Sequence, residues 1–390
     1  MSAVAVKGWC PGVWQPMQSG DGLVVRIRPR RGRLDAEQAT GIAELAERCG
    51  NGLIDLTNRA NLQIRGVSEG SHPLLIDGLA RVHLLDPDPE TEARRNILVT
   101  PFWTAGDESI SIAEELESAL AGGPPGLPAK FGFAVDCGTE RVLASASADV
   151  RIERTDNGQL IVRADGSAFG RTVTRNEAVS IAFQLAEWFV GSGGAIEGRG
   201  RMAYHIAAGA KPPEALCGQA LPARQRGVPD PGVTQHGALF GTAFGQITHA
   251  TLHWLAANAN GLRLTPWRVV LAEGLRDMPL HEGLITHADD PLLRVIACSG
   301  APRCRDAHAD TRALAAMLAP HLPADAWLHL SGCAKGCAQS GAASITLVAT
   351  PDGFDVIRNG STRDRPALRG LSGTNIIANP LLLSGGADAA

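Results

Sequence analysis

Early in the chain the apolar positions change period. Between Leu23 and Arg28 they alternate, with Val25 and Ile27 on one side and Arg26 and Arg28 on the other, as in a half-buried strand. Ile42, Leu45, Ala46 and Cys49 then recur at i, i+3, i+4 and i+7. That spacing predicts a helix, with Asp35 placed to cap it and Gly50-Asn51-Gly52 to end it. Two short strands are expected next, around Leu53 to Leu56 and Leu62 to Ile64.

The same order returns about 208 residues later. Leu252, Leu255, Ala256 and Ala259 repeat the apolar stripe, and Asn260-Gly261 repeats the stop. DLTNRANLQIRGV (Asp55 to Val67) lies without gaps over RLTPWRVVLAEGL (Arg263 to Leu275), sharing Leu56/Leu264, Thr57/Thr265 and Gly66/Gly274. Coupled to the matching helix, these identities predict a duplicated chain built from one long unit. Lys211 to Pro231 holds five prolines and reads as the linker between the copies, since proline fixes extended backbone and removes a donor. Pro124-Pro125-Gly126 is a smaller interruption, and the Gly385 to Ala390 end is expected to fray.

At 390 residues, with 44% hydrophobic and 19% charged positions, the chain suits two or three domains with cores of their own. A net charge of −4 provides no basic field for a nucleic-acid backbone or an anionic membrane surface. The most apolar run, Ile181 to Val190, is interrupted by Gln184 and Glu187 and falls short of a bilayer crossing. Met1 to Gly8 carries one lysine and no apolar run of signal-peptide length, so a cytoplasmic, reducing setting is expected. There the eight cysteines read as thiols or metal ligands rather than a disulfide framework.

Four of them are grouped. Cys298-SGAPR-Cys304 and Cys333-AKG-Cys337 form a Cx5C and Cx3C pair, with Gly300, Pro302, Gly332 and Gly336 able to bend the backbone around a compact object. Four thiolates are the usual ligand set of a 4Fe-4S cluster, and Arg303, Arg305 and Lys335 would offset its negative charge. Structural zinc sites favour spacings of two to four between paired cysteines, which Cx5C does not meet. Cys10, Cys49, Cys137 and Cys217 have no paired spacing and are expected to be small buried residues. His249 and His253 stand i, i+4 on the second predicted helix, a spacing that lets two imidazoles meet one metal, but no carboxylate evidently completes such a set.

These residues resemble the sulfite and nitrite reductase family, in which a Cx5C pair and a later Cx3C pair hold the cluster and the last cysteine, here Cys337, also bridges to sirohaem iron. TNRANLQIRGV (Thr57 to Val67) looks like that family's anion- and tetrapyrrole-binding segment, with Arg59 as the anion-binding arginine and Asn61, Gln63 and Arg65 as neighbours. Arg95 in ARRN resembles a second such arginine, and Lys130 in LPAKFGF the first lysine of a paired motif whose partner position is Gly132. Glycine supplies neither charge nor proton to an oxyanion, so oxyanion reduction is not the expected chemistry.

Across nearly the whole chain, in MQSGDGL, GLPAKFGFAVD and GCAKGC, the wording resembles a branch of the family that oxygenates a tetrapyrrole instead. The resemblance implies precorrin-3A as substrate, O2 as oxidant, an electron donor such as a ferredoxin or reductase, the 4Fe-4S cluster and a mononuclear non-haem iron. Sirohaem belongs only to the alternative of a nitrite or sulfite reductase. The implied fold is α+β, with ferredoxin-like half-domains at 17–70 and 233–280, α/β domains at 85–210 and 290–380, and the linker at 211–231. The active site is expected between the halves.

Overall fold

The structure is a computed structural model and describes residues 10–138 and 140–380; Met1 to Gly8 and the Gly385 to Ala390 end lie outside the described residues. The chain begins with a hairpin, β1 (Met17–Ser19) and β2 (Gly22–Ile27), followed by the short β3 (Arg33–Leu34). On β2 the alternation is realised, with Val25 and Ile27 fully buried. Helix α1 (Ala36–Cys49) starts at a capping box, in which the Asp35 carboxylate accepts from the Gln38 N–H and the Gln38 side chain accepts from the Asp35 N–H. Strands β4 (Leu53–Leu56) and β5 (Leu62–Val67) and helix α2 (His72–Arg81) complete the first unit.

An α/β segment follows: α3 (Pro89–Arg94), β6 (Ile97–Val99), α4 (Glu108–Leu120), β7 (Phe133–Asp136), β8 (Val150–Arg154), β9 (Leu160–Ala164), β10 (Arg171–Thr172), α5 (Ala178–Gly191) and α6 (Met202–Ala207). The ferredoxin-like order then recurs as β11 (Gly232–Thr234), β12 (Gly237–Gly241), β13 (Gln246–Thr248), α7 (His249–Asn258), β14 (Leu262–Leu264) and β15 (Val269–Glu273). The last segment holds β16 (Val295–Ala297), α8 (Thr311–Leu318), β17 (Leu328–Ser331), β18 (Ala343–Thr350), β19 (Gly353–Gly360), β20 (Leu368–Leu371) and α9 (Gly373–Ala378).

The duplication extends to single hydrogen bonds. The Arg59 N–H donates to Thr57 Oγ1 at 3.3 Å, and the Trp267 N–H donates to Thr265 Oγ1 at 3.3 Å. The next residue is left-handed in both turns, Ala60 at φ 52° and Arg268 at φ 62°. The Asn51 N–H donates to the Arg65 carbonyl and the Asn260 N–H to the Glu273 carbonyl, each at 2.9 Å.

Each half also completes the other's sheet. The first has the order β1-β2-β5-β4-β13 and the second β11-β12-β15-β14-β3, so β13 of the second copy pairs with β4 and β3 of the first pairs with β14. Such exchange removes two open sheet edges. Helices α1 and α7 pack together across it, placing Ile42 and Leu45 in one core with Leu252 and Leu255. The two α/β segments are twins as well: β6, β7 and β8 run parallel and continue antiparallel into β9 and β10, and β16 to β20 do the same.

Gly66 and Gly274 sit at φ 70° and 79°, where a Cβ would come within 2.7 Å of Asn51 and 2.3 Å of Asn260. Gly66→Ala and Gly274→Ala should therefore each cost more than about 1 kcal/mol. Because the halves share strands, either variant should lower one common calorimetric transition; a transition that splits in two would contradict this coupling.

Candidate functional site

Strands β16 and β17 are parallel neighbours, with Ala297 opposite Leu330, so the loops leaving them emerge side by side. The first loop carries Cys298 and Cys304, the second Cys333 and Cys337. This topology brings two distant stretches of sequence together at the C-terminal ends of parallel strands, where open α/β sheets place their ligands. The Gly332 N–H donates to Cys298 Sγ at 3.2 Å. A Cβ on Gly332 would lie 2.7 Å from Ala307 Cβ, so only glycine permits the approach. Thr311 Oγ1 donates to the Cys298 carbonyl at 2.7 Å and ties the first loop to α8.

Burial first, then Cys304 and Cys298, raises the Cys333 pKa. Burial and the other three thiols raise that of Cys337. Among the described residues no three His, Cys, Asp or Glu side chains are close enough to grip one ion. Cys298 and Cys304 nevertheless lie near enough to Cys333 and Cys337 to disfavour ionisation of those two thiols, as suits a cluster of several irons, each taking its own thiolate. The donor set and the glycine-lined cradle fit such a cluster, and loading it would release the thiol protons.

Beside Cys298 and Cys337 opens a cleft of about 520 Å³. The first half contributes Arg26, Asp55, Gln63 and Arg65, the second Phe244, Trp267 and Arg268, and the cysteine-bearing segment Arg312 and Trp327. Asp55 is buried at the junction. Its Oδ1 accepts from Gln246 Nε2 at 2.8 Å and Arg312 Nη1 at 3.2 Å, and its Oδ2 from Arg65 Nη1 at 3.2 Å. Arg65 is also held by Asp21 at 2.8 and 2.9 Å. The Arg26 guanidinium donates to Gln63 Oε1 at 2.8 and 3.2 Å.

The residues singled out in the sequence thus divide. Gln63 and Arg65 face the cysteine cleft, whereas Arg59, Asn61 and Arg95 meet Gly132 and Ser147 around a separate small pocket. Arg59 occupies the turn between β4 and β5 rather than a strand, so it shares no strand face with Arg65. Its Nη2 donates to the Lys130 carbonyl at 2.8 Å and to Ser147 Oγ at 3.3 Å, and burial, with Arg201 nearby, lowers its pKa. Lys130 itself is exposed. Arg95 follows helix α3 and is clamped by Asp86 at 2.8 and 3.0 Å, a structural ion pair away from the cysteine cleft. At position 132 a Cβ would lie 3.1 Å from the Asn96 carbonyl oxygen, and the Gly132 N–H donates to Asp149, so packing accounts for the glycine.

Of the remaining cysteines, Cys49 and Cys137 are buried, and burial pushes the Cys137 thiol up to about 12. Cys10 is half-buried and Cys217 exposed, so the expectation of burial fails for these two. His249 Nδ1 lies 3.8 Å from Glu47, and among the described residues no metal-binding group of three forms around His249 and His253. Sequence reasoning missed Asp55, Trp267, Arg268 and Arg312 as cleft residues. The repeat held a signal for two of them, since Trp267 and Arg268 align with Arg59 and Ala60.

Fold and site together define a protein of the nitrite and sulfite reductase architecture. Residues 15–82 match the nitrite/sulfite reductase ferredoxin-like half domain. The NirA protein of Mycobacterium tuberculosis superposes with a TM-score of 0.64 at 17% identity, covering 94% of this chain and 82% of that one. A ferredoxin–nitrite reductase of Synechococcus elongatus is 27% identical over 143 residues, 34% of this chain and 28% of its own. A precorrin-3B synthase of Sinorhizobium sp is 30% identical over 400 residues, 93% of this chain and 84% of its own. The chain belongs to the precorrin-3B synthase family.

If the four cysteines hold a cluster, Cys333→Ser should leave it with a missing ligand. Iron and acid-labile sulfide per chain, measured on anaerobically purified protein, should fall well below those of the parent; equal contents would remove Cys333 from the ligand set.

Proposed function

We propose that this oxidoreductase is a precorrin-3B synthase, converting precorrin-3A to precorrin-3B with O2 and reductant in cobalamin biosynthesis. C20 is hydroxylated and the ring A acetate closes a lactone, while the second oxygen atom leaves as water. The observation that carries this reading is the 30% identity to a precorrin-3B synthase over 93% of the chain, joined to a cleft in which arginines face two of the four grouped cysteines. Precorrin-3A is rimmed by acetates and propionates, and guanidinium groups bind carboxylates through charge-assisted, often bidentate hydrogen bonds.

Cys298, Cys304, Cys333 and Cys337 are assigned to a 4Fe-4S cluster, which when bound supplies electrons from an external donor such as a ferredoxin or reductase. The protein's own contribution is orientation. Asp21 and Asp55 together neutralise Arg65 and Arg312 and fix them in the wall, so they shape the cleft without drifting toward the ligand. Phe244, Trp267 and Trp327 give it apolar surfaces suited to a flat macrocycle. Among the described residues no three His, Cys, Asp or Glu side chains are gathered for the mononuclear non-haem iron implied by the resemblance. No helix among them is long and apolar enough to cross a membrane.

The test is mass analysis of precorrin-3A after incubation with the purified protein, O2 and a reductant. A gain of one oxygen atom is expected, from protein whose visible spectrum shows a cluster without sirohaem bands. Intense macrocycle bands in the isolated protein, with consumption of nitrite or sulfite and unchanged precorrin-3A, would overturn the proposal in favour of a sirohaem reductase.

Arg59 and Asn61, at the small pocket, and the exposed Lys130 beside Arg59 are proposed to contact the macrocycle rim. Arg59→Ala should weaken precorrin-3A binding by about 1.5 to 3 kcal/mol, the worth of a hydrogen bond to a charged group. Equal dissociation constants for parent and variant would take Arg59 out of the site.

A further inference from the structure

The arginines fronting the cysteine cleft are of two kinds. Arg65 and Arg312 are neutralised by Asp21 and Asp55 together. Arg26 and Arg268 have no carboxylate partner among the described residues. Arg26 bonds the neutral Gln63 amide and lies beside Cys10, with Arg28 and Arg59 adding repulsion. Arg268 bonds only backbone carbonyls, Leu293 at 3.0 Å and Val295 at 2.5 Å. Burial alone lowers its pKa to about 10. Buried charges are normally paired, so an uncompensated guanidinium at a cleft wall has anion-binding capacity in reserve.

A second observation points the same way. Trp267 Nε1 and Arg312 Nε are buried and have no acceptor. Among the described cleft residues these are the buried polar side-chain atoms left unsatisfied, and both are donors. Unmet donors beside an unmatched cation call for an acceptor-rich anion. Trp267 and Arg268 also occupy the β14–β15 turn, the twin of the β4–β5 turn that holds Arg59. The duplicated turn has kept its backbone while its cationic side chain moved by one residue.

We propose that the Trp267–Arg268 turn is a carboxylate anchor, taking one peripheral acetate or propionate of the tetrapyrrole from the second half while Arg26 takes another from the first. This rests on the reading of the substrate as a carboxylate-rimmed tetrapyrrole. Two anchors supplied by different halves would fix the rotation of the macrocycle in its plane, and so select which edge lies beside Cys337.

The probe is uroporphyrin III, an octacarboxylate, titrated by fluorescence into the cluster-loaded protein. Arg268→Gln should weaken binding about tenfold, the equivalent of one charge-assisted hydrogen bond, and Trp267→Phe about threefold to tenfold. Arg369→Gln, on exposed β20, should match the parent. Iron and sulfide contents should be unchanged in all three.

Parental affinity in both cleft variants overturns the proposal. Should Arg268→Gln lose its cluster because the Leu293–Val295 segment has come loose, Trp267→Phe decides, since it deletes one N–H and keeps most of the ring's bulk; parental affinity there again overturns the proposal. Porphyrin binding that depends on both residues in a protein that leaves precorrin-3A unchanged would keep the anchor and discard the activity. Conversion of precorrin-3A with parental KM in both variants would do the reverse.

Discussion

Asp55 is the point at which the molecule is tied together. A single buried carboxylate accepts from Arg65 of the first half, Gln246 of the second and Arg312 of the cysteine-bearing segment. Charges this deep are stable only when geometry and hydrogen bonds offset their desolvation, and removing one partner of such a set typically costs 3 to 5 kcal/mol. The three donors can be satisfied together only if both halves and α8 are docked as observed. The cleft exists because that docking leaves space between Asp55 and the cysteine loops. The Arg303 carbonyl adds a second tie, accepting from Gly20 N–H at 2.9 Å and Ser19 Oγ at 2.7 Å, which clips the first cysteine loop to the β1–β2 hairpin.

Much of this was legible in the sequence, and the reason is local. The alternation at Val25 and Ile27, the stripe through Ile42 to Cys49 and the cap at Asp35 are each set within a few residues, as are the glycines at positive φ that end the repeated turns. The meeting of the two cysteine loops could be anticipated from the Cx5C and Cx3C spacing because ligand spacing is itself a chemical constraint. The repeat was visible because Thr57 and Thr265 serve the same turn, and Gly66 and Gly274 permit the same close approach to an asparagine.

What escaped was the pairing of charges. Arg65, Arg95 and Arg268 look alike along a chain, yet Asp21 and Asp55 consume the first, Asp86 consumes the second, and the third meets only carbonyls. Those partners lie 44, 10, 9 and 27 or 25 residues away and are chosen by the fold. The resemblance pointed to Arg95 by its place in a motif, but a motif does not say which carboxylate a guanidinium already faces. Carboxylate pairing distinguishes arginines that build the wall from arginines with charge to spare, and that pairing is a property of the folded chain.

The reciprocal loan of β3 and β13 has a consequence for how such a chain arises. A polypeptide with one copy of the unit would lack the fifth strand of its own sheet and would present bare edges at β4 or β14, satisfied most simply by a second identical molecule. Joined in one chain, the copies need no longer be equal: Cys298 and Cys333 follow β16 and β17, whereas Thr100 and Cys137 follow the twin strands β6 and β7, with no thiol quartet between them. Fusion lets a symmetric pair divide its labour, one copy carrying the thiol quartet while the other still lends its strand.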